Sequence, residues 1–400
     1  MRRKSLFLIF FIALFLRIIF LITYQNGLAL QNRVMADDAN IYIGLANNIL
    51  DGRGYSSDGI NPIAGRVPLY PIFLSLIFFL GGKHYLVVRV IQSILGAATC
   101  IMIYFLGKEI FSRRVAIMAA IIAAFYYPFI QISAYLVTET VSIFLLLFSF
   151  WWLVKSKEDN FAWSLIFGGI LLGLAGLTRS TFFGFYPLIP LILVLTSHSK
   201  KEGLKQGTLI LIGIALALLP WVTRNYLDFH KFIPISTRAG YALYQGNNPM
   251  ATGDSGGWWP VGSQYVIPEE AALMTEIERS LYFEEKAKNF IKNNPKRFFH
   301  LFLKKIVNMW RPYYSGTSRL SQLVIIFSYI PIMILGIAGI FLSYKTWRKS
   351  IILVSFILYY VFVHAILVAT IRYRWPAMPF FFIFAGFTVT YIRDKVQASN

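Results

Sequence analysis

A single cysteine, Cys100, lies inside an apolar run, so neither an intrachain disulfide framework nor a cysteine metal site is available. Acid is scarce as well: 18 Asp and Glu stand against 38 Lys and Arg, for a formal net charge of +20. Charged residues of either sign make up only 14% of the 400 residues, while 57% are hydrophobic. That balance excludes an ordinary soluble domain and fits an all-α polytopic membrane protein. In a soluble chain so basic a composition would point to nucleic acid. Here the cations flank apolar runs, so membrane lipid is the expected partner and nucleic acid is not. Also missing are a Walker loop, a GxGxxG between strand and helix, a GxSxG elbow and an HExxH pair. No pair of halves suggests the inverted symmetry common in secondary transporters.

What is present is a series of long apolar runs. Ten candidate spans read as about 5–24, 84–107, 115–135, 140–154, 161–178, 181–196, 206–222, 320–344, 350–370 and 375–391. Several fall short of the roughly 20 residues that a crossing needs. The N-terminal MRRKS runs into the first of them with no small-residue cleavage site before the aspartates, so it reads as an uncleaved helix. One further run, 68–82, is only about 15 residues long and opens on Pro68 and Pro71. The basic clusters at Arg2-Arg3-Lys4, Lys108 with Arg113-Arg114, Lys155 with Lys157, Lys200-Lys201 with Lys205, Lys345 with Arg348-Lys349, and Arg393 with Lys395 share one side only if 68–82 does not cross. The expectation is therefore ten spans, a half-buried helix at 68–82, and two external segments, 25–83 and 223–319. In domain terms, 1–222 is a transmembrane module carrying the acidic loop 25–83, 223–319 is an external region with interfacial helices, and 320–400 is a C-terminal three-helix segment.

On the external side, 36–50 reads as an interfacial helix with Ile41, Leu45 and Ile49 on its apolar stripe and Asp37 and Asp38 at its N-terminus. Residues 246–260 are rich in turn formers, and the stretch from Pro268 to Asn294 is helical in pattern. A basic amphipathic helix follows over 295–312, with Phe299, Phe302, Ile306 and Trp310 on one face and Arg297, His300, Lys304, Asn308 and Arg311 on the other.

The candidate chemistry is acid beside arginine. Asp37 and Asp38 could be a helix cap, yet one acid suffices for that. A general base beside a second acid that orients it or holds a cation is the functional reading. Glu139 sits at a span mouth, where it could support the helix dipole after Thr138 or act in a site. Arg66 could snorkel or bind an anionic lipid phosphate. Arg179, Arg372 and Arg374 lie on the outer face, where the charge rule does not call for them, and together with Arg66 they suggest a phosphate or pyrophosphate site. Tyr70 joins Arg66 as a candidate substrate-binding residue, and Arg224 and the Lys304-Lys305 pair are weaker members of that set. His364, inside the ninth span, reads as a packed side chain.

Several ordered pieces resemble the GT-C membrane glycosyltransferases, specifically the protein O-mannosyltransferase-like group (glycosyltransferase family 39) that includes bacterial lipid A aminoarabinose transferases. They are DDANIYIGLANNILDGRGY, RVPLYPIF, LVTETVSIFLLL, GLAGLTRST, PWVTRNYLDFHKFIPIS, YQGNNPMATG and IRYRWPAMPFFFIFAG. The resemblance implies the GT-C fold and an inverting glycosyltransferase. Such an enzyme moves a monosaccharide from a polyprenyl-phosphate carrier to an acceptor hydroxyl of a lipid, glycan or protein, on the external or periplasmic face of the plasma membrane. By position, Asp37 matches the catalytic aspartate, Asp38 the acid beside it, Glu139 the second acidic position, and Arg66 the residue facing the donor phosphate. The aminoarabinose transferases carry a glutamate just before that arginine, where this chain has Gly65. A divalent cation, held by Asp38 and Glu139 if at all, is thus left open. The alternative is a transporter or flippase for a lipid-linked or anionic substrate, which would favour ionisable groups near the bilayer midplane.

Overall fold

The computed structural model describes residues 2–24, 33–159, 161–197, 199–254, 268–313 and 319–399. The side chain of Asp37 lies outside the described ones, as do residues 255–260 of the turn-rich stretch. Among the described residues the fold is helical, with no strand beyond an isolated bridge between Ser56 and Pro62. Among the described residues, seven helices are long and apolar enough to cross a bilayer: Lys4–Thr23, Tyr85–Ile110, Glu139–Ser156, Lys200–Phe229, Gln322–Leu342, Tyr344–Ile366 and Ile371–Ser399. Their outward sides stay apolar, as at Phe7, Phe11 and Phe15 of the first, which is the surface that lipid covers.

In chain order the helices are α1 (Arg2–Tyr24), α2 (Arg33–Leu50), α3 (Leu69–Gly81), α4 (Tyr85–Ile110), α5 (Arg113–Phe125), α6 (Tyr127–Ile132), α7 (Glu139–Asp159), α8 (Ala162–Gly176), α9 (Leu188–Thr196) and α10 (Lys200–Phe229). They continue with α11 (Arg238–Gly246), α12 (Glu269–Ala272), α13 (Glu276–Asn293), α14 (Pro295–Trp310), α15 (Arg319–Leu342), α16 (Trp347–Ile366) and α17 (Met378–Ser399). Three of the ten expected spans take another form. The run at 115–135 breaks into α5 and α6, with Tyr126 extended between them and Pro128 opening the second piece. The run at 181–196 starts as a 3-10 turn over Ser180–Phe185 and becomes α-helical only after Pro187. The third, α8, has 15 residues, about 22 Å of helix. Helix α3, with 13 residues, is likewise short of the roughly 30 Å hydrocarbon core. It buries Tyr70, Leu74 and Phe78 and exposes Ile72, Leu76, Phe79 and Leu80, as a half-buried helix does.

Missing side chains decide how closely the long helices approach. A Cβ on Gly169 of α8 would lie 2.2 Å from the Ile210 carbonyl oxygen, and one on Gly213 of α10 would lie 2.0 Å from that of Ile166. Small residues of this kind let helix backbones touch inside a membrane. Gly213→Val is therefore expected to lower stability by about 3 kcal/mol through overpacking against backbone that cannot yield. Gly44→Ala, at a position whose Cβ would meet nothing within 4 Å, should be neutral or slightly stabilising. Thermal unfolding of both variants in detergent checks this, and equal midpoints would contradict it.

Two amphipathic helices are rotated from their expected faces. Helix α2 begins at Arg33, so Asp37 and Asp38 lie beyond its first turn and neither is a cap. Its buried stripe is Tyr42, Leu45 and Ala46, with Ile41 exposed, because the Tyr42 ring packs edge-on against Tyr70 of α3 at 5.1 Å. Helix α14 buries Leu301, Lys305 and Met309 and exposes Phe299, Leu303 and Val307. The helix expected from Pro268 onward is interrupted before α13 by Thr275, which forms a capping box with Glu278.

Chain direction sorts the charges. The N-termini of α1, α5, α10 and α16 and the C-termini of α4, α7 and α17 carry the basic clusters, and Arg114 of α5 lies 3.3 Å from Asp394 of α17. The N-terminus of α7 and the C-termini of α8 and α16 mark the opposite end.

Candidate active site

Five charged side chains from five separate segments meet at that opposite end. Asp38 projects from α2. Arg66 lies in the loop before α3, and that loop is fastened on several sides. Tyr55 Oη donates to the carbonyls of Arg66 and Val67, both at 3.1 Å, while Ser236 Oγ donates to Gly65 O at 3.1 Å. Leu69 N donates to Leu177 O at 2.9 Å, which ties the start of α3 to the end of α8. Glu139 opens α7. Arg179 follows α8 in extended backbone. Arg372 stands in a 3-10 stretch, Ile371–Ala377, whose start is capped by Thr370 Oγ1.

Arg372 joins the two carboxylates. Its Nη1 donates to Asp38 Oδ2 at 2.6 Å, its Nη2 to Glu139 Oε2 at 2.9 Å, and its Nε to Glu139 Oε1. Arg179 Nη1 donates to Glu139 Oε1 at 2.9 Å, and Arg66 Nη2 donates to Asp38 Oδ1 at 2.8 Å. Tyrosines hold the cations in place. Arg66 lies over the Tyr42 ring at 5.6 Å and Arg179 over Tyr373 at 5.2 Å, while Arg179 Nε donates to Tyr360 Oη at 2.7 Å. Among the described side chains, three guanidinium groups thus face two carboxylates, an excess of one positive charge. Arg238 adds to the positive field around Asp38.

The cluster has a dry side and a wet side. Glu139 is fully buried, and Arg179 and Arg372 are each 9% exposed, whereas Asp38 and Arg66 retain 22% and 15%. Burial alone would raise the Asp38 carboxyl, but Arg66 and Arg372 outweigh it and hold the group at about 2. Its folded value lies below the unfolded one, so the stability that Asp38 contributes is present above about pH 4 and is lost as pH falls toward 2. Stability from this group should therefore be flat from pH 5 to 8, which a pH series of thermal midpoints comparing the wild type with Asp38→Asn would show.

Other candidate residues do different work. Tyr70 is fully buried and donates to Gln92 Oε1 at 2.8 Å, supporting Tyr42 from behind. Arg374 is fully buried, lies over Tyr329 at 3.8 Å, and donates to the carbonyls of Met309, Arg311 and Pro312, so it closes the end of α14 rather than joining the carboxylates. Lys304 is exposed beside Gly253. Lys305 is buried, and its ammonium donates to Asn247 Oδ1, Ile366 O and Leu367 O, each at 3.0 Å. Burial pulls its pKa down to about 7. His364 packs between Tyr360 and Tyr373, with Nδ1 3.0 Å from Val368 O. Arg224 donates to Ile63 O at 2.7 Å and Tyr55 O at 2.9 Å and pairs with Asp228 at 2.7 Å, pinning the loop that carries Arg66. Arg224→Ala should cost about 1.5–3 kcal/mol, the usual range for hydrogen bonds to a charged group. Faster proteolysis within 55–63 would register the loosened loop.

Both carboxylates that could take a cation, Asp38 and Glu139, have their oxygens engaged by arginines. Among the described residues no group of three or more His, Cys, Asp or Glu could hold a metal ion. A carboxylate does stand beside Gly65. Glu276 Oε1 lies 3.3 Å from where a Gly65 Cβ would be, and the Glu276 carboxylate accepts from Ala64 N at 3.1 Å and from Thr237 Oγ1. Sequence reading passed over Glu276, Arg238 and Tyr360, which reach the site through distant packing, and also Tyr42, one helical turn after Asp38, and Tyr373, next to Arg372, which the charge pattern did not mark.

A family model for dolichyl-phosphate-mannose-protein mannosyltransferase matches residues 64–224. That stretch holds Arg66, Glu139 and Arg179 but not Asp38 or Arg372, which only the fold brings to it. No curated protein matches the sequence. Among solved structures, the fold matches the Archaeoglobus fulgidus oligosaccharyltransferase in its apo form, with a TM-score of 0.62 at 13% identity over 99% of this chain and 51% of that one. The archaeal oligosaccharyltransferase from the same organism in complex with an inhibitory peptide and a dolichol-phosphate matches with a TM-score of 0.61 at 15% identity, again over 99% and 51%. The chain spans about half the length of these structures. The GT-C fold and the resemblance to the protein O-mannosyltransferase-like group both stand on these matches.

Proposed function

We propose that this integral membrane protein of GT-C fold is an inverting glycosyltransferase that takes a monosaccharide from a polyprenyl-phosphate carrier on the external side of the membrane. The observation that carries the reading is the cluster itself: Arg66, Arg179 and Arg372 gathered around Asp38 and Glu139 at the end of the bundle opposite the basic clusters. The positive-inside rule, which favours the cytoplasm for the basic end, supports an external position for the cluster. The family match at 64–224 and the dolichol-phosphate bound to an oligosaccharyltransferase of the same fold support a lipid-linked donor.

In this reading the acceptor hydroxyl oxygen attacks the anomeric carbon from the face opposite the phosphate. The carbon–oxygen bond to phosphate breaks, and the electron pair leaves with polyprenyl phosphate. Asp37 takes the hydroxyl proton as general base. Asp38 cannot fill that role with its carboxylate held at about 2 by two arginines; it positions them instead. Glu139 does the same from the buried side for Arg179 and Arg372. The preorganised guanidinium groups take up the charge that develops on the departing phosphate. Arg66, the most exposed of the three, meets the donor first.

Arg66→Ala should lower kcat/KM by about 10²–10³, the usual effect of removing one such donor, and Arg66→Lys should recover only part because it loses the forked geometry. Steady-state kinetics with the cognate donor measure both. To find that donor, membranes containing the protein are incubated with a panel of radiolabelled polyprenyl-phosphate sugars, and lipid, glycan and protein products are separated. Label entering one product class from one donor supports the proposal; no transfer from any of them overturns it.

A further inference from the structure

The basic end of the bundle holds a cavity of about 640 Å³ that the catalytic reading does not use. It lies between α7, α8, α9, α10 and α16. Val154 on its wall is fifteen residues along α7 from Glu139, about 22 Å away. The cavity follows from how α9 is held. A Cβ on Gly203 would lie 2.6 Å from Leu193 O, and one on Gly207 would lie 2.6 Å from the Pro190 Cα. Those two glycines bring α9 tight against α10, and the cavity opens along this pair toward Leu153, Leu165 and Ile352. The walls are aliphatic, and the volume falls within the roughly 300–1,000 Å³ of small-molecule sites.

The mouth has a different character. Arg348 and Lys349, both exposed at the start of α16, stand with Glu109 and Glu202 at the ends of α4 and α10. Gln206 Nε2 donates to Glu202 Oε1 at 3.3 Å, which fixes that carboxylate at the rim. Two cations and two acids around an aliphatic interior are complementary to a molecule with apolar chains and a zwitterionic head. A neutral fat lacks the head, and a soluble anion lacks the chains.

We propose that this cavity is a binding site for an aminophospholipid of the cytoplasmic leaflet. One acyl chain lies along Leu153, Ile192 and Ile352, the phosphate meets Arg348 and Lys349, and the ammonium meets Glu109 and Glu202. The site is separate from the carboxylate–arginine cluster, so its occupancy reports on lipid dependence rather than on transfer.

The test is native mass spectrometry of delipidated full-length protein with phosphatidylethanolamine, phosphatidylglycerol or diacylglycerol added back. Phosphatidylethanolamine should bind one to one. Its apparent affinity should fall at least tenfold in the double variant Arg348→Gln, Lys349→Gln, whose changes lie on the exposed rim and leave the core intact. Ile192→Trp, which fills the cavity, should abolish binding; its thermal midpoint without lipid shows whether it has folded. Retention of phosphatidylethanolamine by the double variant at wild-type affinity overturns the proposal, and so does equal retention of diacylglycerol. Equal binding of phosphatidylglycerol overturns the assignment of the ammonium to Glu109 and Glu202.

Discussion

Asp37→Asn is expected to lower glycosyl transfer by about 10²–10⁴-fold, the contribution of a positioned general base, with expression, fold and donor binding unchanged. The expectation rests on what its neighbour is doing. Asp38 accepts from Arg66 on one oxygen and from Arg372 on the other, and it stays ionised down to about pH 2. Such a carboxylate is a poor proton acceptor, because each arginine bond stabilises the charged form. Glu139 is fully buried beneath two arginines and cannot reach an acceptor coming from outside. With those two acids committed to arginines, Asp37 is the acid proposed to take the proton. Asp38→Asn should act differently, loosening Arg66 and Arg372 and weakening donor binding as well as turnover. A split between kcat and KM for the two variants separates base from positioner, and similar losses in both parameters for both variants would contradict the assignment.

Arg372→Gln is expected to damage the fold as well as the activity. The guanidinium bridges Asp38 of α2 and Glu139 of α7. Its removal leaves Glu139, at 0% exposure, with Arg179 as its remaining cation. Breaking a buried pair in this way typically costs about 3–5 kcal/mol, since a charge stays buried without its full complement of partners. The expected readout is a large drop in the detergent thermal midpoint together with loss of transfer. Arg372→Gln combined with Glu139→Gln should recover part of the midpoint but none of the activity. A double variant no more stable than the single one would show that the pair is not coupled as described.

The sequence announced the ingredients of this site more clearly than their arrangement. Charge asymmetry between apolar runs placed Asp38, Arg66, Glu139, Arg179 and Arg372 on one side, and the fold brings all five into contact. Pairing was not legible: Asp38 and Arg372 are 334 positions apart, and nothing local to either encodes their meeting. The same limit applies to Arg374. In IRYRWP it looks equivalent to Arg372, yet in the 3-10 stretch the two arginines face different partners, one the carboxylates and the other the carbonyl end of α14. Length and hydropathy marked ten apolar runs, of which seven are long helices among the described residues, but composition could not reveal that 115–135 and 181–196 are broken at Tyr126 and before Leu188. The faces of α2 and α14 were read about one position off because a tyrosine edge and a buried lysine, rather than aliphatic periodicity, fix their rotation.

The central claim is that the arginine–carboxylate cluster carries transfer from a lipid-linked sugar, and one measurement bears on it most directly. Purified protein in liposomes is given a polyprenyl-phosphate sugar labelled in the sugar, with acceptor on the outside, and the released lipid and the anomeric configuration of the product are determined together. The account predicts stoichiometric release of polyprenyl phosphate, a product of inverted configuration, and loss of both in Asp37→Asn. Movement of the intact lipid-linked sugar across the bilayer without cleavage, or a product that retains the donor's configuration, would contradict it.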